Sequence, residues 1–311
     1  YNENGIQEFE EFEIAKFSDQ ASYLRVALPS LGFVRVNKTL FSHSLHINPS
    51  QWAQSSGFKK IAAQFSNQTY ILIDTDTEKN SDKIQFNPFD TNNPKVRALK
   101  QTFRNALYFR RGLQQHSTTY TYAHNKTKNN LGIGFIENEN TLRQLMWQHK
   151  IATSWLLSLD GKAVETKNTT ENFENRSYQI DSKEFKPELT FKLRTNSNLA
   201  INYEYKDKQD TSKTNVLQVQ KLGATYQFSS IKKGALFIAY DRYQNSFSGI
   251  ENTPLSYQML EGLQVGKNSV WTLTAQKKLT TQLHLNINYT GRNSKNNTTL
   301  HTGSIQLRAL F

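Results

Sequence analysis

The last stretch of the chain alternates with a period of two up to its final residue. Ala309, Leu307, Ile305 and Gly303 fall in step with Phe311, while Thr302, Ser304, Gln306 and Arg308 fall between them. Successive side chains of a strand point to opposite faces, so this pattern predicts a strand with one apolar and one wet face. It recurs upstream. Leu283, Leu285, Ile287 and Tyr289 oppose His284, Asn286 and Asn288; Trp271, Leu273 and Ala275 oppose Thr272, Thr274 and Gln276. Leu222, Ala224, Tyr226 and Phe228 share a face, as do Leu199, Ile201, Tyr203 and Tyr205, and Trp155, Leu157, Leu159, Gly161 and Ala163. Helical periodicity is confined to short, weak stretches.

The predicted strands fall into pairs. Within pairs the connections are short, such as Thr280-Thr281 or Ser230-Ile231-Lys232-Lys233. Between pairs they are longer and polar: 125–140, 167–176, 207–214, 248–267 and 292–299. Transmembrane barrels show this asymmetry, with short periplasmic turns and longer outer loops. About eleven strands are expected after residue 100, and residues 33–47, 59–74 and 83–88 also read as extended. Single-chain bacterial barrels have even strand numbers, so the expectation is an all-β, antiparallel transmembrane β-barrel of about 14 strands, with 12 as the alternative. A soluble up-and-down barrel would show the same alternation.

Composition changes the picture only a little. The mean hydropathy is -0.68 and no apolar run spans a membrane as a helix. Barrels escape that test, because only every second residue faces lipid. There are no cysteines, which excludes disulfides, thiolate zinc sites and cysteine nucleophiles. The formal charge is +12, but the basic residues are scattered and form no nucleic-acid motif. Loop and rim cations suit anionic lipid headgroups equally well as they suit solubility. Tyr1 is not a Met and no signal peptide is evident, so the expectation is a mature product or a C-terminal fragment of a longer protein.

Residues 1–20 are acidic and read as a linker or the end of an upstream domain. Setting Gly5 as a calcium-loop glycine puts Asn2, Asn4, Glu8 and Glu11 on ligand positions, with Ile6 offering its carbonyl. An acidic solvated linker accounts for the same residues and is preferred; calcium is the one cofactor the sequence suggests. Residues 21–58 read as a lead-in, plug or first strand, and 59–311 as the barrel.

Histidines offer little chemistry. His43 and His46 are three apart, which on a strand sets them on opposite faces, a poor chelate. No phosphate-cradling glycine loop, nucleophile elbow or Ser/His/Asp arrangement is visible, and an enzyme is not expected. Trp147, Trp155, Trp271, Tyr203, Tyr205, Tyr226, Tyr240 and Tyr289 are assigned to strand ends, as membrane-interface aromatics. Leu260–Asn268 interrupts the strand pattern. It reads as a plug, a partner-binding surface or, preferably, the start of the next strand.

Several segments together carry a family resemblance. They are Asn4–Glu8, Asp19-Gln20-Ala21 before Tyr23–Val26, Phe86-Asn87-Pro88-Phe89, Asn175-Arg176 with Tyr178, and Leu260–Leu263 with Gly266 and Asn268. Tyr289, Gly291, Arg292, His301–Gly303 and Arg308–Phe311 complete the set. On these the chain resembles the C-terminal barrel region of large outer-membrane proteins of the Bacteroidota. The closing strand, with Gly303, Ile305, Leu307, Ala309 and Phe311, also resembles the membrane-insertion signal of bacterial outer-membrane barrels. The resemblance implies an outer-membrane location, a long parent with β-rich domains before the barrel, and contact with outer-membrane lipid and lipopolysaccharide. It also implies barrel-assembly machinery during insertion and other envelope proteins as partners. No nucleic-acid partner is expected. The functional expectation is a membrane anchor or subunit of a larger envelope assembly, with a passive transport pore as the alternative.

Overall fold

The computed structural model describes residues 34–309, apart from 80–86, 113–114, 132–133, 174–175, 212–213, 232–233, 281 and 295–297. The described residues form one antiparallel sheet of thirteen strands in sequence order. The strands are β1 (Val36–Ile47), β2 (Phe65–Glu78), β3 (Val96–Phe109), β4 (His116–Leu131) and β5 (Gly134–Ala152). Then follow β6 (Trp155–Thr170), β7 (Tyr178–Arg194), β8 (Ser197–Asp210) and β9 (Val216–Ser230). The last four are β10 (Gly234–Ser248), β11 (Gly266–Lys278), β12 (Leu283–Ser294) and β13 (Leu300–Ala309). Every ladder joins sequence neighbours, the order of an up-and-down barrel. The described count lies between the expected 12 and 14.

Register sorts the side chains into two faces. Phe185 pairs with Tyr205, Ile201 with Ala224, Tyr226 with Ile238, Ile238 with Leu273, and Ile287 with both Ala275 and Ile305. At these positions the apolar face is left open by the other described residues: Ile201 is 53% exposed and Leu222 58%. The opposite, polar face carries Lys162 beside Glu184, Glu184 beside Lys206, and Glu204 beside Lys221. Leu40 and Tyr70 are exceptions, large and exposed on the polar face. The sheet thus inverts a globular core, with its exposed greasy side opposite its most charged side.

The two ends of the sheet differ. At one, called here the turn end, β5 passes to β6 through Thr153-Ser154 and β7 to β8 through Thr195-Asn196. The other, the loop end, carries the connections 79–95, 171–177, 211–215 and 249–265. Two sequence expectations are corrected here. Residues 125–140, expected as an outer loop, are mostly strand: β4 runs to Leu131 and β5 starts at Gly134. Polar residues hide this extension from a hydrophobic pattern, because both faces are wet there, with Lys126 3.0 Å from Glu137. The second correction lies at the turn end, where the β1–β2 connection 48–64 is long and includes a 3-10 turn at Ser50–Trp52 and helix α1 (Phe58–Ala62). Residues 59–62 were expected to be extended. The expected domain start at 59 falls inside this connection, and the sheet itself begins at Val36.

Two connections fold back on the sheet, on opposite faces. From 79–95, Phe89 reaches Phe41, with ring centroids 5.6 Å apart. The small cluster of Ile73, Val96 and Leu99 with Phe41 and Ile71 is buried nearby. The connection 249–265 forms helix α2 (Pro254–Leu260) and turns onto the polar face.

Candidate functional site

The polar face of β6–β10 carries a continuous chain of opposite charges, extended onto β5 by a hydrogen bond. Gln144 donates to Asp160 at 2.8 Å. Lys162 lies 3.5 Å from Asp160 and 3.7 Å from Glu184. Lys206 lies 3.4 Å from Glu184 and 3.5 Å from Glu204, and Lys221 lies 2.9 Å from Glu204 and 3.8 Å from Asp241. Each lysine therefore sits between carboxylates of its own or adjacent strands. The geometry follows from period-two alternation combined with register. Glu204 and Lys206 are two apart on β8, and their partners occupy matched positions on β7 and β9. Gly223 leaves room for the chain to close: a Cβ there would lie 2.4 Å from Asp241 Oδ1 and 2.8 Å from Asn202 Oδ1.

Helix α2 sits on this face near the loop end. Its start is locally encoded. The Thr253 hydroxyl accepts from the Ser256 amide, the Ser256 hydroxyl accepts from the Thr253 amide, and Pro254 follows the cap, where a missing N–H costs nothing. Its end turns sharply, with Glu261 and Gly262 at φ 53° and 79°. Met259, 1% exposed, packs with Ile180, Leu217 and Val219 from β7 and β9. The Lys208 ammonium donates to the Met259 carbonyl at 3.1 Å and to the Glu261 carboxylate. Lys206 lies 3.4 Å from the same carboxylate. Burial pushes the Glu261 carboxyl up, but Lys208 and then Lys206 act more strongly together and hold it below its ordinary value.

The rest of the connection is tied to three more strands. Asn245 Nδ2 donates to the Gln264 carbonyl at 3.0 Å and Asn268 Nδ2 at 2.7 Å. Ser294 donates to Asn268 Oδ1 at 2.7 Å, and Arg292 donates to the Gly262 carbonyl at 2.7 Å. The connection is therefore held by side chains from every strand from β7 to β12. The preferred reading of Leu260–Asn268 as a strand start holds for Gly266–Asn268, which open β11, whereas residues 260–265 are folded onto the polar face.

The aromatic residues chosen from sequence all fall on the apolar face, but mostly not at strand ends. Tyr203, Tyr205, Tyr240, Trp271 and Tyr289 lie mid-strand, where the apolar face gives way to Asp207, Arg242 and Ser269 further along. Trp147 and Trp155 lie nearer the turn end, Trp155 with its ring centroid 4.5 Å from that of Phe191; Tyr226 lies between the two levels. The strands overrun the apolar band, so aromatics at its loop-side margin sit mid-strand. Four successive apolar-face positions, as on β8, span on the order of 20 Å along the strand. Trp271 lies flat across the strand pair: a Cβ on its partner Gly291 would fall 2.1 Å from the indole.

Of the closing-strand residues, Gly303, Ile305, Leu307 and Ala309 share the apolar face of β13; Phe311 lies outside the described residues. The calcium-loop residues Asn2, Asn4, Ile6, Glu8 and Glu11 also lie outside them. Among the described residues no group of three or more His, Asp or Glu side chains is arranged to hold a metal ion. The charge chain and α2 were missed from sequence. The available signal was Lys and Glu recurring at wet strand positions two apart, as in Lys162, Glu184, Glu204 and Lys206.

No protein-family model and no curated protein matches the sequence. Among solved structures, similarity is found to "CdiB from Acinetobacter baumannii", at 9% identity and a TM-score of 0.44, over 88% of this chain and 54% of that one. The chain thus spans about half of that protein's length. The "Translocator domain of autotransporter NalP from Neisseria meningitidis" is similar at 8% identity and a TM-score of 0.30, over 89% and 87% of the two chains. The β domain of the Bordetella autotransporter BrkA is similar at 9% and 0.30, over 88% and 97%. At these values the functional reading rests on the chain's own residues.

Proposed function

We propose that the chain is an outer-membrane β-barrel serving as a membrane anchor or subunit of a larger envelope assembly, not as an open channel. Support for the membrane comes from the exposed apolar face, bounded by Trp and Tyr, opposite a charged one. Lipid would cover the first, and a wet or protein-filled interior the second. In lipid the backbone groups along the outer edges of β1 and β13 must also be hydrogen-bonded. Contacts with lipopolysaccharide, with the assembly machinery and with other envelope proteins belong to the same proposal.

One observation carries the choice of anchor over pore. The connection 249–265 is folded onto the polar face and fixed there by side chains of β7–β12. A segment held by buried Met259 and by ion pairs obstructs the interior instead of lining it as a mobile loop. Single-channel conductance of the folded, detergent-purified chain in a planar bilayer tests this. Silence from a sample shown to be folded by heat-dependent gel mobility is expected; discrete reproducible steps would put the pore reading ahead. Co-purification from native membranes tests the assembly: recovery without any partner would count against it.

A further inference from the structure

At the turn end of β1–β3 the polar face has a different character. Two cavities, of about 460 and 340 Å³, adjoin there and share His46 in their walls. Lys60, Arg110 and Arg111 line the first and Arg104 the second, and neither wall contains an aspartate or glutamate. None of these four cations has a carboxylate partner among the described residues. Arg111 instead lies over the Tyr108 ring at 4.3 Å, with no hydrogen-bond acceptor among the described residues. Arg110 bonds the His116 ring at 2.6 Å, while its buried Nε has no hydrogen-bond partner among the described residues. Its backbone is also at φ 53°, a left-handed conformation unusual for a residue with a side chain, and its amide is held by the Gln64 carbonyl at 2.7 Å. Lys60, Arg104 and Arg111 are exposed, and with no acid in either wall their summed field is positive and attracts anions.

From this we infer that the cavity pair at the turn end of β1–β3 is a binding site for phosphoryl groups, with Arg111 and Lys60 lining one cavity and Arg104 the other. Guanidinium N–H pairs match two oxygens of one phosphate, and lysine adds a point charge. The site is independent of α2 and of whether the interior conducts. Either a soluble phosphorylated compound or an anionic lipid headgroup would present this group.

Calorimetric titration of the folded chain in non-ionic detergent with pyrophosphate tests the soluble source. Native mass spectrometry after exchange into phosphatidylglycerol-doped micelles tests the lipid source. The comparison is with Lys60→Gln/Arg104→Gln/Arg111→Gln and with Lys277→Gln/Lys278→Gln, which removes two exposed cations at the turn end of β11. One-to-one pyrophosphate binding, weakened at least tenfold in the triple variant alone, supports the site with a soluble ligand. Retained phosphatidylglycerol lost only in the triple variant supports it with a lipid headgroup. No binding of either, or equal loss in the β11 variant, overturns it. Arg111→Gln alone, at an exposed turn position, gives the same reading should the triple variant fail to fold: a several-fold loss is expected, and unchanged binding overturns the site.

Discussion

The polar face holds two sectors built by the same alternation and differing in charge balance. Across β6–β10, with α2, five carboxylates (Asp160, Glu184, Glu204, Asp241, Glu261) meet four lysines (Lys162, Lys206, Lys208, Lys221). At the turn end of β1–β3, four cations meet no carboxylate. In the first sector each charge is consumed by a neighbour, and what results is a rigid floor to which a helix is fastened. In the second, Lys60, Arg104 and Arg111 have no carboxylate partner among the described residues, and on the proposal above they meet an anion from outside. Period-two polarity determines only that a face is wet; whether that face is scaffold or site depends on which sign lies opposite which across the ladder.

That contrast can be broken at its clamp first. Met259→Ala removes the buried anchor of α2 and is expected to cost the docked loop about 2–4 kcal/mol. Protease cleavage within 249–265 should accelerate strongly while the sheet stays folded; an unchanged cleavage rate would mean that the polar ties alone hold the loop. Next in size is Lys206→Met, which leaves Glu184 and Glu204 with one lysine fewer. Their side chains are 17% and 15% exposed, so a loss of about 1–3 kcal/mol is expected, below the full penalty of a dry site. Urea unfolding in micelles measures it. Gly223→Ala should cost about 1–2 kcal/mol in the same assay, because the new methyl displaces Asp241 or Asn202.

Acidity gives a smaller and reversible test. The Glu261 carboxyl is held below its ordinary value, so its contribution is fully present above the unfolded-state value and is lost as pH falls through the folded one. Loop protection should therefore persist at neutral pH and weaken only at acid pH, below the ordinary carboxylate range. In Glu261→Gln that acid-dependent component should vanish. The smallest effect is expected on the other side of the comparison. Arg104→Gln should change stability by less than about 0.5 kcal/mol, since no partner among the described residues is lost. A large destabilisation there would mean that the basic sector is structural after all.

Much of the sheet was legible because every second residue on one face is apolar. Ile201, Leu222, Ile238 and Ile287 mark their strands without ambiguity. The signal failed where both faces are wet, so Asn125–Asn140 read as a loop although most of it is paired strand. It failed again at Phe58–Ala62, where a five-residue helix is too short to show a 3.6-residue period. Helix α2 carried a readable start in Thr253-Pro254-Leu255-Ser256, but nothing local says which face of the sheet it will meet. That is decided by Met259 finding Ile180, Leu217 and Val219, contacts distant in sequence. The charge chain was hidden for the same reason, since pairing depends on a register that no single strand encodes.

The strict sequence order of the ladders bears on how such a chain can change over time. Where each strand touches only the one before and the one after, a hairpin can be duplicated or lost with the remaining pairings intact, and the circumference adjusts. The connection that straps β7 through β12 removes that freedom for half of the sheet, because any added or deleted strand there would pull Met259, Asn268 and Arg292 out of step. Variation in strand number among descendants of this chain should therefore accumulate between β2 and β6, leaving the strapped half as the fixed unit.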